Sequence, residues 1–192
     1  MVPHPYPAPW LVAYTRPRHE QQVRQYCEER GMEVFLPCHW TWRRWSDRRK
    51  RLLMPLFASY VFLRVDERQR QSALQAPGML WFIHNRFGPV RVNEDEIAAI
   101  RRLLDSGLAF DPFPLAQVGE EVQIVKGVMR GCRGRLVSKS GAQIVLAVTA
   151  VNGGVRVTLP DPSWVVSVQA ERGSGNGLED AVGTSGRISA GH

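Results

Sequence analysis

Pro55-Leu-Phe-Ala-Ser-Tyr-Val-Phe62 decides how the first half of the chain is read. It sits inside an extended run from Leu52 to Val65 that is broken near Pro55, because a proline has no N–H to donate to a sheet ladder. Alternation places Tyr60 and Phe62 on one face of the run and Val61 and Leu63 on the other. Upstream, Trp10-Leu-Val-Ala-Tyr14 is a short apolar run closed by Thr15-Arg-Pro-Arg18, which predicts a buried strand and a turn. A helix follows from about Arg18 to Arg30, with Val23, Tyr26 and Cys27 at i, i+3, i+4 and Gly31 after its last turn. Met32 to Pro37 reads as a second strand.

Downstream, Glu67 to Gln75 predicts a short helix, Met79 to His84 a strand and Val90 to Val92 another brief extended piece. Asn93 opens a further helix with Glu96 three residues on, a capping arrangement worth about 1 kcal/mol. That helix buries Ile97, Ile100 and Leu104 and stops near Gly107. The order β-α-β-β-α-β-α predicts an α+β domain, an antiparallel sheet with helices on it, over residues 10–107. Asp105 to Gln117 contains Pro112 and Pro114 and no strong period, so it reads as a linker centred on 108–116, able to reach roughly 40 Å at about 3.3 Å per residue.

Beyond it the composition shifts to β-branched residues. Glu121 to Val125, Arg135 to Ser138, Gln143 to Val151, Val155 to Leu159 and Trp164 to Val168 are five short strands separated by glycine-rich turns, which predicts a small SH3-like barrel over 117–168. The proline-rich start, residues 1–9, reads as an extended arm without a signal peptide or membrane span, and the Gly/Ser-rich residues 169–192 as a disordered tail.

A formal charge of +7 and a pI near 9.9 make a polyanionic partner the first expectation, though charge alone does not name the anion. The cations are clustered. Arg16, Arg18 and His19 stand where the first turn meets the helix; Arg43, Arg44, Arg48, Arg49, Lys50 and Arg51 face a single Asp47, with Trp42 and Trp45 interleaved. Arginine pairs with phosphate or stacks on an unstacked base, and each phosphate neutralised adds roughly 0.7 to 0.9 to the salt slope. The alternatives are a solvated turn for the first cluster and a solvated hairpin tip for the second.

Catalysis finds little support. The acids Asp66-Glu67 and Glu94-Asp-Glu96 fall where a helix start favours acids anyway, and histidines 4, 19, 39, 84 and 192 are scattered. There is no phosphate-binding glycine loop and no nucleophile motif, so neither an enzyme nor a cofactor is expected. Cys27, Cys38 and Cys132 are odd in number and lack zinc-ligand spacing, which fits reduced thiols in a cytosolic protein without a metal.

Pro55 to Phe62 resembles the PLFPGYVFV segment of the NusG amino-terminal (NGN) domain. Val118-Gly-Glu-Glu-Val-Gln-Ile-Val125 through Gly127-Val-Met-Arg-Gly-Cys-Arg-Gly134 resembles a KOW motif, in the same order along the chain. Tyr14-Thr-Arg-Pro-Arg-His-Glu20 and Arg44-Trp-Ser-Asp-Arg-Arg-Lys50 look most like the specialised paralogues that control long operons, the RfaH and UpxY branches. The resemblance implies an NGN domain joined to an SH3-like KOW barrel, in a cytoplasmic, monomeric transcription elongation factor that suppresses pausing and termination.

It further implies that Tyr14, Tyr60, Phe62 and Phe82 form an apolar patch gripping the clamp of RNA polymerase, the alternative for these four being ordinary core. Arg16, Arg18 and His19 would face non-template DNA, and the second cluster upstream DNA, with nascent RNA another candidate recruitment signal. The KOW loop of Gly127, Met129, Gly131 and Gly134 would face a ribosomal protein or Rho. Met129 departs from the aromatic that family members commonly carry there, which favours a dedicated operon regulator over a general factor. A KOW module holding ribosomal RNA is the other binding-module reading.

Overall fold

The computed structural model describes residues 8–44, 49–114, 119–138 and 143–168. The expected arm at 1–7, the hairpin tip with Trp45 and Arg48, the segment 115–118 and the tail lie outside the described residues. All strand pairings described are antiparallel.

The first sheet is built from β1 (Trp10–Thr15), β2 (Glu33–Phe35), β5 (Tyr60–Arg64), β6 (Met79–Phe82) and β9 (Arg91–Val92), in the order β2-β5-β1-β6 with β9 also paired to β1. Strand β5 is central, and both of its faces are apolar for that reason. Leu11, Ala13, Val61, Leu63 and Phe82 face α1 (Glu20–Glu28) and α2 (Glu67–Ala73), where Val23, Cys27 and Ala73 are buried. Trp10, Val12 and Phe62 face α3 (Glu94–Asp105) with its Ile97, Ile100 and Leu103.

Asp66 caps α2 with a complete capping box through Gln69. Asn93 caps α3 as expected, accepting from the Asp95 N–H, but Glu96 does not close the box. Its carboxylate accepts from the Thr149 hydroxyl at 3.0 Å in the second half of the chain. Outside both layers stands a separate ribbon, β3 (Cys38–Arg44) and β4 (Arg49–Pro55), in register from Cys38↔Pro55 to Arg44↔Arg49. The tiny pair β7 (His84–Asn85) and β8 (Gly88–Pro89) completes the first half.

The second sheet holds β10 (Phe110–Pro114), β11 (Glu121–Ile124), β12 (Arg133–Ser138), β13 (Gln143–Val148), β14 (Gly153–Thr158) and β15 (Val165–Ser167), in the order β10-β14-β13-β12-β11-β15. Five strands overlap the stretches the composition marked, although Thr149–Val151 forms a 3-10 turn instead of extending β13; the sixth overturns the linker expectation. Residues 110–114 pair with β14 from Phe110↔Val157 to Pro114↔Gly153. Thr158 donates its N–H to the Ala109 carbonyl, which sets the odd positions of β10 toward β14 and the even ones outward. Pro112 and Pro114 occupy outward positions, so neither removes a ladder bond.

Nor are the halves independent. One apolar cluster runs from Trp10, Phe57 and α3 to Val122, Met129, Leu146 and Val157. Arg102 on α3 also donates to the Arg130 carbonyl at 3.1 Å.

Two features of this core make predictions. Gly127 has φ +73, and a Cβ there would lie 2.2 Å from the Trp164 ring. Gly127→Ala therefore combines left-handed backbone strain with a clash against a large ring, and is expected to destabilise the chain by about 2 kcal/mol in urea unfolding. Gly131 shares the positive φ, whereas Gly134 sits in β12 for a different reason: its missing side chain admits the Val145 carbonyl, which a Cβ would meet at 2.8 Å.

Burial pushes the Cys27 thiol from its ordinary value of 9.0 up to about 11, with Arg30 opposing and Glu28 adding to the rise. Above pH 9.0 the unfolded chain releases a proton that the folded chain still holds. Stability is thus full below that pH and declines as the pH rises through about 11. Urea midpoints compared at about pH 8 and about pH 10.5 should show the decline in the parent chain, with its slope reduced in Cys27→Ala.

Candidate polymerase and nucleic-acid interfaces

The turn after β1 is fixed by two other turns that meet it at the same end of the sheet. Arg16 donates its N–H to the Gly78 carbonyl at 2.8 Å, and the His19 side chain lies against Gly78, whose hydrogen is all that fits there. Thr15 donates to the Ser59 carbonyl at 2.9 Å, while the buried Glu20 carboxylate accepts from the Ser59 N–H at 2.8 Å. Ser59 has φ 65, and the bond to Glu20 holds it in that unusual conformation. Arg18, also left-handed at φ 67, points the chain back into α1, leaving Arg16 and Arg18 exposed and His19 half-buried. Glu20 carries no distinctive signal in the sequence, because a buried acid at a helix start looks there like any dipole-favoured one.

On the sheet face beside this turn, Tyr14 stands between Tyr60 and Trp81. The Tyr14 and Tyr60 rings meet edge-on at 5.3 Å; Tyr14 and Trp81 stack at 5.0 Å with 27° between planes. The tyrosines are half-buried, and Trp81 is 51% exposed. Burial, and then the neighbouring Tyr14, raises the Tyr60 phenol above its ordinary value, so it remains a neutral donor at physiological pH.

Phe62 and Phe82 do not join the patch. Each is 1% exposed, Phe62 on the α3 side and Phe82 on the opposite α1 side. The register explains the exchange of Phe82 for Trp81. Tyr14 pairs with Trp81 and Ala13 with Phe82, so Trp81 shares the face of Tyr14; a shift in register follows between Tyr14 and Thr15.

The second basic cluster falls on the β3–β4 ribbon. Arg49, Lys50 and Arg51 are exposed on β4; Arg43 and Arg44 end β3. Trp40 and Trp42 are 57% and 64% exposed, and the Arg51 guanidinium lies 4.8 Å from the centre of the Trp40 ring. Trp40 precedes the run of cations in the sequence, and only the strand register brings it beside Arg51.

In the second half, the expected contact residue Met129 is a core residue, 1% exposed, and Val128 beside it is the exposed apolar side chain of the loop. Among the described residues no group of histidines, cysteines and acids is placed to hold a metal, and no helix is long and apolar enough to cross a membrane.

Residues 8–101 match the family model described as "Transcription termination factor nusG". Among solved structures, one described as "Domain interaction in Thermotoga maritima NusG" is similar at 19% identity and a TM-score of 0.48, over 84% of this chain and 97% of that one. Two conformations of the MjSpt4:Spt5 complex match at 15% identity and a TM-score of 0.27, over 83% of this chain and 96% and 97% of theirs. No curated protein matches the chain.

Proposed function

We propose, from the match of residues 8–101 to the nusG family model, that this chain is a transcription elongation factor which rides on RNA polymerase and suppresses pausing and termination. The observation that carries the reading is the aromatic trio Tyr14, Tyr60 and Trp81, presented beside the basic turn Arg16–His19. Aromatic anchors of this kind bury a large area with few torsions to freeze, which suits a docking surface on the polymerase clamp. Arg16, Arg18 and the β3–β4 ribbon then lie on the same factor as cationic contacts for the nucleic acid beside the clamp. In the same reading the six-stranded sheet is the KOW barrel of the family.

No bond is made or broken by such a factor. It acts by binding the forward-moving polymerase better than the paused one, and a difference of about 1.4 kcal/mol changes the ratio of the two states tenfold. Met129 lies in the core and Val128 is the exposed side chain beside it, so position 129 offers no aromatic contact of the kind expected for Rho or ribosome coupling. That supports an operon-specific antiterminator over a general coupling factor. The test is transcription by the host polymerase along the native leader template, scoring pause lifetimes and terminator read-through. Increased read-through is expected; a folded chain that neither binds polymerase nor alters elongation would end the reading.

A further inference from the structure

The β3–β4 ribbon carries a surface that its own fold does not use. Cross-strand register puts Trp40 opposite Leu53 and Trp42 opposite Arg51 on one face, with Arg49 two residues further on; His39, Thr41, Leu52 and Met54 alternate onto the other. The second face is half-buried, and His39 packs against Phe110 of β10 at 6.3 Å. On the first face, Trp40, Trp42 and Leu53 are left largely in water. Two indoles on one exposed ribbon face are apolar surface that folding has not consumed.

Charge selects the occupant. The strands Cys38–Arg44 and Arg49–Pro55 contain five cations, Arg43, Arg44, Arg49, Lys50 and Arg51, and no acid. An apolar protein surface gains nothing from such a border, whereas a polyanion with flat aromatic faces matches both parts. We propose that this face binds an unpaired nucleic-acid strand, with bases stacking on Trp40 and Trp42 and phosphates neutralised by Arg49 and Arg51. The Arg51 guanidinium, already lying over Trp40, widens the stacking platform, because bases stack on guanidinium planes as well as on rings.

Two side chains at i and i+2 lie about 7 Å apart along a strand, room for successive bases of a stretched single strand. In a duplex the base faces are already stacked on one another, and the indoles would meet only edges and backbone. This inference deepens the nucleic-acid part of the proposed function and rests on it for the source of the strand.

The test uses the full chain and labelled oligonucleotides, with no polymerase: a thymidine strand, a uridine strand and a duplex of the same length. Tryptophan fluorescence is expected to be quenched by the unpaired strands, and the tighter of the two identifies DNA or RNA as the ligand. Trp40→Ala/Trp42→Ala should weaken unpaired-strand binding at least about tenfold with duplex binding unchanged. Both indoles are exposed, so the thermal transition of the variant should match that of the parent.

Arg49→Ala/Arg51→Ala should flatten the salt dependence by roughly 1.4 in slope. The inference is overturned by unchanged strand affinity in the tryptophan variant, by duplex bound more tightly than either strand, or by self-association that the tryptophan variant abolishes. A chain that quenches on an unpaired strand but ignores polymerase defeats the proposed function alone; one that binds polymerase without quenching defeats this inference alone.

Discussion

Tyr14→Ala/Trp81→Ala is expected to weaken binding to RNA polymerase by about 100-fold while leaving the chain folded. The two rings stack at 5.0 Å, and Tyr14 also meets Tyr60 edge-on, so removing the pair removes both ring contacts of the trio. Truncating one well-placed aromatic anchor often costs about 2 kcal/mol, and stacked neighbours are less than additive, so about 3 kcal/mol for the pair corresponds to roughly two decades in affinity. Both side chains retain contact with solvent, and neither belongs to the buried clusters. The loss of stability should therefore be small. Titration of fluorescent chain with core polymerase measures the affinity and circular dichroism the fold; a variant that binds like the parent removes the trio from the interface.

Phe62→Ala is expected to act differently, lowering stability by about 3–5 kcal/mol. Its ring is 1% exposed, packed at 5.9 Å against Phe57 and at 6.1 Å against Phe35, in the cluster shared by both halves of the chain. Against a total stability of roughly 5–15 kcal/mol, such a loss leaves a substantial unfolded fraction near physiological temperature. Urea unfolding should show a shifted midpoint. If the variant instead kept its midpoint and lost only polymerase binding, Phe62 would be a contact residue that reaches the surface in the complex. Comparing it with Tyr14→Ala/Trp81→Ala separates lost function from a lost fold.

Much of the first domain was legible because alternation and helical spacing record burial directly. Val61 and Leu63 do oppose Tyr60 and Phe62, and Asn93 does cap α3. Exposure was less legible. Tyr60 and Phe62 share a face, but Tyr60 keeps contact with solvent while Phe62 is buried against Phe35 and Phe57, which no alternation rule distinguishes. Choosing Phe82 over Trp81 needed the cross-strand register, a property of two segments far apart in sequence. Glu96 was read as a partner of its own helix because capping is local; its bond to Thr149 depends on how the halves pack. Pro112 and Pro114 looked like breakers because their outward placement is invisible until β14 supplies the neighbouring strand.

Those two prolines have a consequence for how the chain behaves in a crowded solution. β10 ends the second sheet, and an exposed strand edge ordinarily offers a row of free N–H groups on which a foreign strand can nucleate. Here two of the three outward positions, 112 and 114, carry no N–H at all, and at those positions an incoming strand finds acceptors without donors. The same residues that break the pattern of a strand in the sequence guard its edge against intermolecular growth of the sheet.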